Sequence, residues 1–190
     1  MQFPKHINTI NAYLREGFDE RGWYNETSNK LREIFEDDAG LVADLLAATS
    51  PNTSVAGNVT LALKAYQQLK NGKDFVGFLP IVVKMLHTIR LNYLTDEHMP
   101  FGGAKIQNFA RALKGDLSAV VVDRWMVRAF GYPKITPLRT RKITAWVNAR
   151  AAQLGVTPCE IQAAIWCGIK RREDASGFTT APIDSYLRSA

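Results

Sequence analysis

Two side chains in the middle of this 190-residue chain have the types and spacing for bond-making chemistry: Lys105 and Asp123, 18 positions apart. A lysine amine held in a desolvated or cationic setting sheds its proton more readily, becomes a nucleophile and forms Schiff bases. A carboxylate facing a reacting carbon stabilises positive charge that develops there, or activates the group that attacks it. Together they suit a reaction at a carbon that passes through a cationic state.

The segments around the pair must position it. Gly102 and Gly103 allow a tight turn whose backbone N–H groups point outward, where a phosphate would fit, and they open directly onto a helical pattern. Ile106, Phe109, Ala110 and Leu113 recur at helical spacing as one buried stripe, and Gly115 follows where a C-cap is expected, so Lys105 falls in the first turn of a helix over 104–114. Ala119, Val120, Val121 and Val122 are too few and too β-branched for a helix. They lead to Asp123 at the head of the periodic run Trp125, Met126, Ala129, Phe130. Read from the residues alone, Asp123 is an N-cap, and a lysine in the first turn of a helix contacts phosphate or solvent.

The rest of the chain reads as helix almost throughout. Helices are predicted near 6–16, 27–36, 39–48, 54–70, 78–93, 104–114, 124–130, 138–153 and 158–172, with glycine and proline punctuation between them and no sustained strand signal. The fold class is therefore all-α. Thr157, Pro158 and Glu160 form a helix start with cap, first-turn proline and capping-box glutamate, and the helix that follows turns Ile161, Ala164, Ile165 and Ile169 inward. Ahead of the helix that aligns Val55, Val59, Ala62, Tyr66 and Leu69, either Asn52 or Ser54 is the cap.

The stretch Met99-Pro100-Phe101-Gly102-Gly103-Ala104-Lys105, followed by Val122-Asp123, resembles the helix-hairpin-helix base-excision DNA glycosylases, the superfamily of endonuclease III and 8-oxoguanine DNA glycosylase. The likeness covers mainly positions 41–131. The family hairpin reads roughly Leu-Pro-Gly-Val-Gly-x-Lys, so Phe101 stands at its first glycine and Gly102 where valine is usual. The resemblance implies two helical lobes around a cleft, with residues 1–174 as one glycosylase-like domain, the hairpin and catalytic segment at 99–130, and a C-terminal tail at 175–190. It implies that Lys105 is the lysine nucleophile of the bifunctional members and Asp123 the catalytic aspartate. A weaker echo is Ser50-Pro51-Asn52-Thr53, which matches a Ser-x-Gln-Thr stretch of the family with Asn52 in place of glutamine. Asn52, Gly102, Gly103, Lys114 and Arg124 are then DNA-contact candidates. Trp23, Tyr24, Trp125 and Trp166 are candidate walls for an extruded base, although at least two of Trp125, Trp146 and Trp166 also fit core packing at helical spacing.

Composition agrees with this expectation. Net charge is +6, but positions 103–190 hold 14 Lys/Arg against 6 Asp/Glu while 1–102 hold 10 against 12, so the half bearing the hairpin is the basic one. The expected partner is double-stranded DNA with a damaged or modified base, with no obligate protein partner. The basic runs Arg139-Thr140-Arg141-Lys142 and Lys170-Arg171-Arg172 touch the DNA backbone or are solvated helix ends. Cys159 and Cys167 are too few for the four-cysteine iron–sulfur cluster of some relatives and lack zinc-motif spacing, and His6, His87 and His98 are scattered, so no metal or other cofactor is expected. Both cysteines read as buried thiols in a reducing compartment. The N-terminus lacks the apolar core of a signal peptide, and the greasiest stretch, 78–86, is too short to span a bilayer, so a cytoplasmic, nucleoid-associated location is expected. Two alternatives keep DNA as the partner: a glycosylase-fold enzyme of phage-type DNA base modification, and a helix-hairpin-helix binder without catalysis.

Overall fold

The computed structural model describes residues 6–173; the expected tail at 175–190 lies outside them. All regular secondary structure among the described residues is helical. The α-helices run α1 (Ile7–Glu16), α2 (Trp23–Phe35), α3 (Ala39–Thr49), α4 (Val55–Lys70), α5 (Pro80–Thr95), α6 (Ala104–Leu113), α7 (Arg124–Ala129), α8 (Pro137–Leu154) and α9 (Pro158–Glu173), with short 3-10 turns at Phe18–Glu20 and Glu36–Asp38. The pattern located all nine, mostly to within two residues. The clearest departure is α2, which begins at Trp23 rather than near 27, so that Trp23 and Tyr24 are helical. The chain divides into two compact units, whose described residues are 6–26 with 115–173, and 27–114.

In the first unit α1, α7 and α8 all pack on α9. Ile161, Ala164, Ile165 and Ile169 are fully buried, as the inward stripe predicts, against Ile10, Leu14, Val122, Met126, Ile143 and Val147. Full burial of each such aliphatic side chain contributes about 1.5–3 kcal/mol. Trp146 belongs to this core, whereas Trp125 and Trp166 are half-buried against its edge. Helices α1 and α9 approach closely because Gly168 has no side chain: a Cβ there would fall on the Tyr13 carbonyl. The predicted capping box starts α9, with the Thr157 N–H donating to Glu160 at 2.8 Å and the Glu160 N–H to Thr157 Oγ1 at 3.3 Å. At its other end Arg171 pairs with Glu20, and Arg172 with Glu16 at 2.6 Å. Those two cations of the basic run are thus taken up within the unit.

In the second unit α3 is the centre, with α4, α5 and α6 packed on it. Its sequence, Ala-Gly-Leu-Val-Ala-Asp-Leu-Leu-Ala-Ala-Thr, is apolar on nearly every face, as a helix surrounded by others must be. Thr49, at its end, donates to the side-chain Oδ1 of the buried Asn58 at 2.7 Å. Asp44 is the charged exception. Burial pushes its carboxyl above the ordinary range, and Lys114 opposes that shift through an ion pair at 2.7 Å. Asp38 has the opposite balance: Lys70 and Tyr66 hold its carboxyl below the ordinary value through contacts of 2.8 and 2.6 Å.

Candidate functional site

Lys105 lies one residue into α6, where the loop from α5 turns onto the helix. Asn92 pins that loop, donating to the Met99 carbonyl at 2.8 Å and accepting from the Met99 N–H at 3.1 Å. Phe101 is buried, and its carbonyl accepts from Gln107 at 2.7 Å. The left-handed turn falls at Gly102, φ +82°, where a Cβ would press on Met85 and Ile106. Gly103 is the N-cap of α6, in extended backbone and with open space around it. The loop between α5 and α6 thus makes its left-handed turn at Gly102 and caps the helix at Gly103.

This geometry aims Lys105 back at the end of α3. Its ammonium donates to Ser50 Oγ at 2.6 Å and lies 5.6 Å from the Phe109 ring centroid. Ser50 in turn donates to the Ala47 carbonyl at 2.9 Å, which fixes its hydroxyl as an acceptor for the lysine. The two segments read separately in the sequence, the hairpin and the Ser50–Thr53 stretch, thus meet in one place. Asn52 is exposed, with a left-handed backbone at φ +60°. The helix cap there is Ser54, whose Oγ accepts from the Gly57 N–H at 3.1 Å, so Asn52 is free of that duty. Lys114 is engaged with Asp44, and its carbonyl accepts from Arg32 at 2.8 Å.

Asp123 is positioned in the other unit by both of its oxygens. Oδ1 accepts from the backbone N–H groups of Trp125 and Met126, each at 2.9 Å, the N-cap geometry that the sequence predicts. Oδ2 accepts from the indole N–H of Trp166 at 3.0 Å. The buried run Ala119–Val122 delivers this residue to the head of α7. Tyr24 is nearby and fully buried: burial holds its phenol well above the usual range, with the Cys159 and Asp123 charges adding to the shift, and Gln162 hydrogen-bonds it. Trp23 stacks edge-on against Tyr24 at 5.0 Å. Both cysteines are buried, and burial pushes the Cys167 thiol up to about 12.

Of the four candidate pocket aromatics, Tyr24 is enclosed in the core and Trp166 acts as a donor to Asp123. Around the Trp125 ring stand Lys170 at 4.5 Å, Arg128 at 4.8 Å and Arg124 at 6.0 Å from its centroid. The contacts of Ser50 with Lys105, of Trp166 with Asp123, and of Arg128 and Lys170 with Trp125 were not legible in the sequence. The signal available was spacing alone, since Arg124 and Arg128, and likewise Trp166 and Lys170, stand four apart on one helix face.

Among the described residues, no group of three or more histidine, cysteine or acidic side chains is gathered to hold a metal, and no helix is long and apolar enough to cross a membrane. No curated protein and no solved structure matches the chain. The chain belongs to the family of unknown function DUF7178, which matches residues 14–173.

Proposed function

We propose that this member of a family of unknown function is a DNA glycosylase of the helix-hairpin-helix kind, with a lyase step, acting on a damaged or modified base in double-stranded DNA. The two-lobed glycosylase-like fold and a cytoplasmic, nucleoid-associated setting belong to the same proposal. The observation that supports it most is the Lys105–Ser50 contact, because it unites in one local site the two segments whose sequences resemble the family. The second support is Asp123, which has the helix-cap position that the family's catalytic aspartate takes.

In this mechanism the target nucleotide leaves the stack, at a cost of a few kcal/mol that is least for damaged or mispaired bases. The bond from C1′ to the base breaks and its electron pair departs with the base. Asp123 stabilises the positive charge left on the sugar. The Lys105 amine, after giving up its proton, donates its lone pair to C1′. Opening of the sugar ring then yields the Schiff base, with O4′ taking up a proton, and the Schiff base permits strand cleavage. Ser50 holds the amine in place before attack.

Borohydride trapping on duplex DNA containing an abasic site tests the lysine step, with wild type and Lys105→Ala side by side. The expected result is a covalent adduct that the variant loses. Base release from a panel of lesion-bearing duplexes, absent in Asp123→Asn, is the second expected result. Folded, DNA-binding protein that forms no adduct and releases no base from any substrate overturns the proposal.

A further inference from the structure

We propose that Arg124, Arg128 and Lys170, gathered around the Trp125 indole, form a cradle for the phosphodiester backbone of one nucleic-acid strand. The inference rests on the proposed function and extends it by naming where the first unit holds the strand.

Three cations from two helices lie 4.5–6.0 Å from one ring centroid. Of these, Arg124 stands close enough to Lys170 for the two like charges to repel, and the electron-rich face of the indole offsets only part of that repulsion. Neither arginine side chain has an ion pair or hydrogen bond among the described residues, in contrast to Arg171 and Arg172, which are paired with Glu20 and Glu16. Burial and the neighbouring Arg124 charge both depress the Lys170 ammonium, with Asp123 opposing them. An anion arriving beside Lys170 and Arg124 would lower the repulsion between them. The two arginines are exposed while Trp125 is half-buried, so the cluster is open and shallow. That shape fits an extended polyanion better than a small anion enclosed on all sides. Arg124 adjoins Asp123 in the chain, which places the cradle immediately beside the proposed catalytic carboxylate.

The test is the salt dependence of binding to a fluorescent duplex oligonucleotide for wild type, Arg128→Gln and Lys170→Gln. Each phosphate contact removed should lower the slope of log affinity against log salt by about 0.9, with affinity several-fold weaker at about 100 mM salt. Slopes parallel to wild type, in variants with unchanged melting temperature, overturn the cradle. Should Lys170→Gln lower the melting temperature, the exposed Arg128→Gln carries the test alone. Titration with inorganic phosphate at matched ionic strength separates the sources. Saturable phosphate binding, lost in Arg128→Gln and unaccompanied by DNA binding, assigns the cluster to a free phosphate and overturns the strand reading. Altered slopes in a protein that releases no base would leave the cradle standing without the glycosylase. Base release with unaltered slopes would remove the cradle alone.

Discussion

The indole N–H of Trp166 donates to Oδ2 of Asp123 at 3.0 Å, although 43 positions separate the two residues in the chain. With Oδ1 committed to the cap of α7, this bond fixes the remaining oxygen, and so the plane of the whole carboxylate. Trp166→Phe keeps most of the packing and removes the donor. A hydrogen bond to a charged group is worth about 1.5–3 kcal/mol, so under the proposed function turnover should fall about ten-fold or more with KM little changed. Equal turnover in variant and wild type would mean that the bond serves packing only.

The observed cap role of Asp123 and its proposed catalytic role can be separated by substitution. Asparagine retains an oxygen that accepts from the Trp125 and Met126 N–H groups, whereas alanine does not. Asp123→Asn should therefore abolish base release while nearly preserving the melting temperature, and Asp123→Ala should lose about 1 kcal/mol of stability as well. Thermal melts beside a base-release assay check both. Asparagine and alanine variants of equal, reduced stability would contradict the cap assignment.

The neighbouring glycines of the loop before α6 should respond differently to the same change. Gly102 combines φ +82° with contacts to Met85 and Ile106, so Gly102→Ala should cost about 1–2 kcal/mol in chemical denaturation. Gly103 has φ −83° and open space, so Gly103→Ala should stay within about 0.5 kcal/mol of wild type. A reversed order would place the left-handed turn at the wrong residue.

The approach of α1 to α9 leaves no room for a side chain at Gly168. A methyl group there would meet the Tyr13 carbonyl, which is backbone and cannot rotate away. We expect Gly168→Ala to cost about 3 kcal/mol or more, seen as a large drop in melting temperature. A loss under about 1 kcal/mol would show that the two helices can separate freely.

Asp38 predicts a pH dependence with a definite sign. Its folded carboxyl lies below the ordinary 3.8 because Lys70 and Tyr66 favour the charged form. A depressed carboxylate contributes stability above its unfolded value and loses it as pH falls through the folded one. The gap in melting temperature between wild type and Asp38→Asn should be about 2 °C above pH ~5, given the exposure of the pair, and close below 3.8. A gap independent of pH would assign the effect to packing.

Local chemistry was legible without the fold. The inward stripe of α9, the Thr157–Glu160 capping box, the cap at Asp123 and nearly all helix positions follow from contacts within a few residues of one another, where periodicity and cap preference act directly. The early start of α2 escaped notice because Trp23 and Tyr24 carry no cap signal, and Tyr24 is held by burial in the core rather than by helix propensity. The sequence by itself therefore determined an all-helical chain with an amine in the first turn of one helix and a carboxylate at the head of another. Only tertiary structure decided what those groups touch. Ser50 meets Lys105 across 55 positions, Trp166 meets Asp123 across 43, and Lys170 reaches the Trp125 ring from another helix. Such partners are selected by how helices pack, and helix packing depends on the shapes of whole surfaces that no local spacing encodes.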